Sequence, residues 1–342
     1  MSGMTHDPSR RATARDVAQL AEVSVATVSL IANGKAAGRV TPETERRVRE
    51  AIRTLDYRIN TTASALAQGR RDTVAFVSPD PGNPFFSLVL DGLASTLDPS
   101  LSLTILWPRS DDYDLVTVQR ALAGDLAGLV LASPGSELLD TISPTCPTIL
   151  LESGETRPGM SSMDLDVEAA GTGLADHLVG LGHSRVAYLG VSRDKSTLHH
   201  RRDALHRQLQ ARGAAITVPD ELVERMTTAS ALDRALAVLP SWIERGVTAV
   251  VCGDDLLAYG VLEASARLGI SVPQQLSVAG FNNLPFSSMV SPSLTSVDLS
   301  ARELGASAAR ALTEMLVGAD APAPTTLRTH IVARESTARA RA

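Results

Sequence analysis

The sequence predicts an α/β protein of two lobes preceded by a small all-α unit, and three observations predict it. Residues 13–59 carry the caps and apolar spacing of three short helices. From about Asp72 the pattern changes to short apolar runs separated by helical segments, and those runs fall in two series. Charge, finally, is divided along the chain: residues 1–71 hold 12 Lys/Arg against 7 Asp/Glu, and the remainder holds 20 against 31. The net charge of −6 hides this asymmetry, which concentrates basic groups where a phosphate backbone would need them.

Residues 1–12, polar and rich in charge, read as a disordered tail. Thr13 then opens the first helix, with Asp16 placed to complete a capping box and Val17, Leu20 and Ala21 as the expected apolar face. A tight turn at Glu22-Val23 leads to Ser24, the cap of a second helix whose buried face is Val28 and Ile31. That leaves Val25, Ala26, Thr27, Ser29 and Leu30 for an outward surface. Two helices this short, joined by so tight a turn, suit a helix-turn-helix, in which the second helix enters the major groove of DNA. A third helix starts with Thr41 as cap and Pro42 at its first position, and turns Val48, Ala51, Ile52 and Leu55 inward.

Any small three-helix unit fits those residues equally well, and the segment after Tyr57 tips the balance. Residues 60–71 have a cap at Asn60, a stop at Gly69 and one large apolar side chain, Leu66. A helix this short is marginal alone in water. Two copies packed through Ala63 and Ala67 would present Leu66 as a wedge into a minor groove, whereas a plain linker would have no such use for it.

In the remainder, the runs at 73–78, 103–107, 128–132 and 148–151 read as one series of buried parallel strands, and those at 185–190, 249–252 and 277–281 as a second. Open α/β sheets bind ligands beyond the carboxyl ends of their strands. Candidates for a small-molecule site are therefore Asp80, Asn83, Phe85 and Phe86 after the first strand, Glu152 after the fourth, Asp254 after the run at 249–252, and Asn282 after Phe281. A guanidinium facing such amides and carboxylates can hold adjacent hydroxyls or the edge of a base. Asp255 is expected to cap the helix that carries Ala258 and Gly260.

Enzyme constellations do not assemble. Gly171-Thr-Gly173 lacks the third glycine and the preceding strand of a dinucleotide fingerprint, no G-x-S-x-G occurs, and His199, His200 and His206 have no metal-ligand motif around them. No catalytic residue, metal or cofactor is expected. Cys146 and Cys252, far apart and in apolar runs, read as buried thiols of a reducing compartment. With no leader pattern and no apolar run of bilayer length, the expected location is cytoplasmic, with no membrane partner.

The chain resembles the lactose-repressor (LacI/GalR) family of bacterial transcription regulators. The resemblance is carried by D-V-A-Q-L-A-E-V-S-V-A-T-V-S at 16–29, Asn33-Gly34, R-V-T-P-E-T at 39–44, L-D-Y-R-I-N at 55–60, N-P-F-F at 83–86, L-G-H-S-R-V-A-Y-L-G at 181–190, D-x-x-A-x-G at 255–260, L-S-V-A-G-F at 276–281 and P-S-L-T-S-V at 292–297. It implies a helix-turn-helix domain at 13–59, a hinge helix at 60–71 and a periplasmic-binding-protein-like core at 72–342. In such a core the chain crosses between lobes three times, giving an N-lobe of about 72–168 with 298–327 and a C-lobe of about 169–297 with 328–342.

The implied function is a repressor: a homodimer on a pseudo-palindromic double-stranded operator, controlled by a sugar or related metabolite between the lobes. The implied DNA contacts are Thr13, Ser24, Val25, Ala26, Thr27, Ser29, Leu30, Asn33, Lys35, Arg39, Asn60, Ala63 and Leu66. Arg201 matches the arginine with which family members hold a ligand. Two readings stay open beside this one, a regulator whose core answers to a partner protein and a cytoplasmic ligand-binding protein with weak DNA binding.

Several positions depart from the family pattern. Asn282 stands where aspartate is common, and Asp254 where asparagine is frequent. Val25, Ala26 and Leu30 occupy base-reading positions without a hydrogen-bonding group, so readout there is apolar contact, as with thymine methyls, or passes to Thr27, Ser29 and the hinge.

Overall fold

The computed structural model describes residues 12–32, 36, 38–57, 71–80, 82–107, 115–192 and 196–341. The chain divides into two compact units, Met1–Arg71 and Asp72–Ala342. Apart from Ala12 and Arg71, the tail and hinge expected from the sequence lie outside the described residues, as do Asn33 and Lys35.

The first unit contains α1 (Ala14–Leu20), α2 (Val25–Ala32) and α3 (Pro42–Thr54). Its capping box is formed: the Thr13 hydroxyl accepts from the Asp16 amide at 3.3 Å while the Thr13 amide donates to Asp16 Oδ2 at 2.8 Å. Val17, Ala18, Ala21, Val28, Ile31, Ala36, Val48 and Ala51 make its core. Leu20 departs from expectation, since it is 53% exposed and Ala18 is buried in its place. At 100° per residue, Ala14, Val17, Ala18 and Ala21 share one arc, and Leu20 points roughly 110° away from the centre of that arc.

The second unit is built on two sheets. One has six parallel strands in the order β12-β5-β4-β3-β1-β2: β1 (Thr73–Val77), β2 (Ser102–Leu106), β3 (Leu126–Ala132), β4 (Thr148–Leu151), β5 (Met160–Leu165) and β12 (Thr325–Leu327). The other has seven, in the order β13-β11-β10-β9-β6-β7 with β8 also on β6. Its strands are β6 (Arg185–Val191), β7 (Ala215–Ile216), β8 (Glu221–Val223), β9 (Ala249–Cys252), β10 (Ser277–Phe281), β11 (Thr295–Asp298) and β13 (His330–Val332). Among the described strands only β13 runs antiparallel to its neighbour.

Helices α4 (Pro84–Thr96), α5 (Leu115–Leu122), α6 (Ser136–Thr141) and α11 (Ala301–Leu316) belong to the first lobe. α7 (Val167–Gly180), α8 (Ser196–Ala211), α9 (Thr228–Glu244) and α10 (Asp255–Arg267) belong to the second. α4 and α11 cross so closely at Gly92 and Gly305 that a Cβ on either would collide with the other helix's backbone. The core beneath them is apolar and dense, with Phe76, Leu93 and Ile149 fully buried.

The chain passes between lobes at 166, at 299–300 and at 328–329, and the three passes are joined to one another. The Thr329 hydroxyl donates to the Asp166 carbonyl at 3.0 Å, and the Ser300 hydroxyl donates to the Arg328 carbonyl at 3.0 Å. The Ser300 amide in turn donates to Asp298 Oδ1 at 2.6 Å. Among the described residues no helix is long and apolar enough to cross a membrane.

Candidate functional site

Three strands stop in the same way. The residue after β3 is Ser133, after β4 Glu152, and after β10 Asn282, with φ of 51°, 50° and 104°. A side chain other than glycine pays for that backbone, and such residues gather at functional sites. Each turn aims a polar side chain into the cleft between the two sheets.

There they meet groups from elsewhere in the fold. Arg201, in the second turn of α8, forms an ion pair with Glu152, and its Nη1 donates to Asn282 Oδ1 at 3.3 Å. The Asn282 amide donates to Asp254 Oδ2 at 2.6 Å, and the Asn83 amide reaches the same oxygen from the other lobe at 2.8 Å. Ser133 and Thr197 donate to the two oxygens of Glu152, each at 3.2 to 3.3 Å. Asn83, Glu152, Arg201, Asp254 and Asn282 are all buried. One polar atom in this cluster lacks a partner: Arg201 Nε, wholly inside and aimed at no acceptor.

Five of the eight side chains expected at a small-molecule site thus join one network spanning both lobes. Asp80 lies beyond it, accepting from the Gly82 amide at 2.9 Å and lining a cavity of about 300 Å³ with Arg225, Met226, Thr227, Thr228 and Leu256. Met226 connects the two, because the Asn83 amide also points at its sulfur at 3.5 Å. Phe85 is a correction. It is 2% exposed and belongs to the apolar core, its amide held two residues on by the Asn83 cap of α4; Phe86, half-buried, packs edge-on against it.

Asp255 is a second correction. The cap of α10 is Asp254, whose Oδ1 accepts from the Leu256 amide at 2.8 Å. Asp255 is instead the first helical residue, and its buried carboxylate accepts from the Leu284 amide, the Ser287 hydroxyl and the Ser296 hydroxyl at 2.6 to 2.8 Å. Those bonds fasten the segment that follows Asn282. Ser296 also accepts from the Asn283 amide, and the Asn283 side chain donates to Asp298 at 2.8 Å. Two adjacent aspartates therefore face opposite ways, one into the cleft and one into the support behind it.

Burial pushes the Asp254 carboxyl up to about 6, against the pull of the Leu256 amide, the Asn83 amide and the Arg201 charge. It pushes Asp255 up to about 7, opposed by the hydroxyls of Ser287 and Ser296. Ser133 and Thr197 escaped the sequence reading. Ser133 follows a strand end as Glu152 does, so the carboxyl-end rule reaches it; Thr197, one residue inside a helix, gives no such signal.

In the first unit, the Ser24 hydroxyl accepts from the Thr27 amide at 3.1 Å and caps α2. Val25 is 45% exposed, Ala26 and Ser29 are exposed, and Thr27 and Leu30 are half-buried. The Thr27 hydroxyl is engaged with that of Ser24 at 2.9 Å, and the Thr13 hydroxyl with Asp16 at 2.7 Å. Arg39, after Gly38 with its φ of 72°, is exposed. Asn33, Lys35, Asn60, Ala63 and Leu66 fall outside the described residues.

Comparison with known proteins completes the description. The family model for bacterial regulatory proteins of the lacI family matches residues 13–60, and that for a periplasmic binding protein-like domain matches 175–337. The HTH-type transcriptional regulator GntR of Pseudomonas aeruginosa is 30% identical, over 98% of this chain and 100% of that protein. Catabolite control protein A of Priestia megaterium is 29% identical, over 89% of this chain and 92% of its own. Among solved structures, the lac repressor dimer bound to operator and the anti-inducer ONPF superposes with a TM-score of 0.79 at 22% identity, over 96% of this chain and 100% of that one. The CelR–cellobiose complex, a transcriptional regulator, gives 0.66 at 26% identity, over 95% and 100%.

Proposed function

Because the chain belongs to the LacI family of bacterial regulatory proteins, we propose that it is a repressor acting as a homodimer on a pseudo-palindromic operator, released or recruited by a sugar-like metabolite held between its lobes. The observation that carries this reading is the buried network of Asn83, Glu152, Arg201, Asp254 and Asn282. Polar groups contributed by both lobes, with one guanidinium nitrogen left without a partner, suit a small hydrophilic ligand better than a structural core. The adjoining cavity of about 300 Å³ adds room at the low end of what small-molecule sites use.

At the DNA, Val25, Ala26, Thr27, Ser29 and Leu30 form the reading face, Thr13, Ser24 and Asn33 support it, and Lys35 and Arg39 take phosphates. Asn60, Ala63 and Leu66 supply the hinge wedge. The effector acts by changing the angle between lobes, hence the spacing of two hinge segments, and the resulting coupling is reciprocal between sites. Work of this kind belongs in the cytoplasm, on the nucleoid.

Selection of genomic fragments by the full chain tests the proposal, with affinity read at two salt concentrations. The expected result is a palindromic site whose affinity falls steeply with salt and is lost on deleting residues 1–71. Weak binding indifferent to sequence, with and without extracts of small metabolites, would sink it.

A further inference from the structure

The chemistry of the buried network restricts what can occupy the cleft. Arg201 Nε–H is buried without an acceptor, and an occupant that reaches it satisfies it with an oxygen lone pair. Glu152 and Asp254 make the opposite demand. Their oxygens are satisfied here by Arg201, Ser133, Thr197, Asn83 and Asn282, and an occupant that parts any of these must bring donors of its own. A hydroxyl group meets both demands at once, since it donates and accepts. A carboxylate or phosphate meets only the first.

Charge points the same way. Among the described residues, Arg201 is the one cation hydrogen-bonded into the network, and Glu152 already opposes it. Asp254 has only amide partners: the Leu256 backbone and the side chains of Asn83 and Asn282. Burial raises its carboxyl to about 6, so it is mainly ionised at neutral pH. An anion entering this space meets a carboxylate that has no ion-pair partner of its own, out of water, where like charges repel most strongly.

On the reading that the cleft holds a hydroxyl-rich effector, we infer that Asp254 is the specificity residue that turns away the carboxylated and phosphorylated analogues of that effector. A neutral amide at this position would lack that effect. Asn282, on the opposite side of the same oxygen, fixes where the Asp254 charge points.

The test is calorimetric titration of the full chain at pH 8 with matched probes: D-ribose, D-ribonate and ribose 5-phosphate; D-glucose, D-gluconate and glucose 6-phosphate; cellobiose and cellobionate. At least one neutral member should bind, with its anionic counterparts at least tenfold weaker. That ratio should fall to about threefold or less in Asp254→Asn, and equally in Asp254→Ser, which keeps a helix cap if the amide variant folds poorly. An anion that binds wild type as tightly as its neutral counterpart overturns the inference, as does a ratio that neither variant changes. Loss of that anion's binding in Arg201→Ala would show that the cleft is still the site, so only the charge selectivity would fall. If no member of any set binds, the inference and the cleft reading fall together.

Discussion

Asn83 and Asp254 belong to opposite lobes, and the amide of the first donates to the carboxylate of the second at 2.8 Å. Each is also the cap of the helix it begins: Asn83 Oδ1 accepts from the Phe85 amide, and Asp254 Oδ1 from the Leu256 amide. Two helix N-termini are thereby held face to face across the cleft by one hydrogen bond. Their positive ends suit the carboxylate lodged between them.

Replacing Asn83 by alanine removes that bond and the cap together. A loss of about 2 kcal/mol is expected, from a helix cap and a buried amide partner. Both tryptophans, Trp107 and Trp242, lie in the second unit, so their fluorescence in a urea titration reads this unit alone. Asn83→Asp restores a capping group but sets a second carboxylate against Asp254. It should therefore fail to recover the urea midpoint at pH 8, and full recovery would show that the cap, not the inter-lobe bond, sets the loss.

Arg201→Ala leaves Glu152 buried without its cation. About 3 kcal/mol or more of core stability should go, the cost of breaking one side of a buried pair. Glu152→Gln combined with Arg201→Met removes both charges, and should be more stable than Arg201→Ala alone. If the double variant is the less stable of the two in the same urea titration, the uncompensated carboxylate is not the cause.

Asp254 gives the core a pH dependence of known sign. Its carboxyl sits near 6 when folded, above the unfolded value of about 3.9, so its contribution is complete below about pH 4 and is lost as pH rises through 6. Between pH 4 and 7 wild type should lose stability relative to Asp254→Asn by something on the order of 3 kcal/mol. Asp255 is raised in the same direction and partly by the Asp254 charge, so it shifts down in Asp254→Asn and the difference between the two curves reports both carboxyls. Parallel stability curves across that range would contradict the assignment.

In the first unit, Val28→Ala should cost about 1 to 3 kcal/mol, because Val28 is fully buried, while Leu20→Ala, at 53% exposure, should stay within about 0.5 kcal/mol. Val25→Ala should leave thermal unfolding unchanged and weaken binding to the selected operator roughly fivefold, the cost of about 1 kcal/mol in apolar contact with a base. Equal operator affinity for Val25→Ala and wild type would remove Val25 from the reading face.

How far these features could be read in advance depends on how local their causes are. β3 and β9 are continuous apolar runs, and the caps at Thr13, Thr41 and Asn83 are fixed by residues within three positions, so both kinds of feature show in the sequence. β5 does not, since Ser161 and Ser162 interrupt its apolar pattern yet are fully buried, the first of them donating to the Pro322 carbonyl. The short strands β7, β8, β12 and β13 exist because a neighbouring strand offers them a ladder, a long-range cause. Glu152, Asp254 and Asn282 were legible from the rule about strand ends. Which of the adjacent Asp254 and Asp255 caps the helix was not, because Asp255 is drawn away by Ser287 and Ser296, residues distant in sequence. Leu20 misled for a simpler reason: a helix of seven residues has too few apolar positions to fix its own buried arc.

β12 and β13 complete the two sheets from a single short stretch, Thr325–Leu327 and His330–Val332, after every other strand has been laid down. During synthesis this ordering has a cost. Until that stretch leaves the ribosome, β5 and β11 are open edges, templates for pairing with any other extended chain. The three-helix unit, with its own core, emerges hundreds of residues earlier and can fold at once. A nascent chain therefore completes its helix-turn-helix unit well before the two sheets are closed, and their waiting edges stay exposed to pairing in that interval.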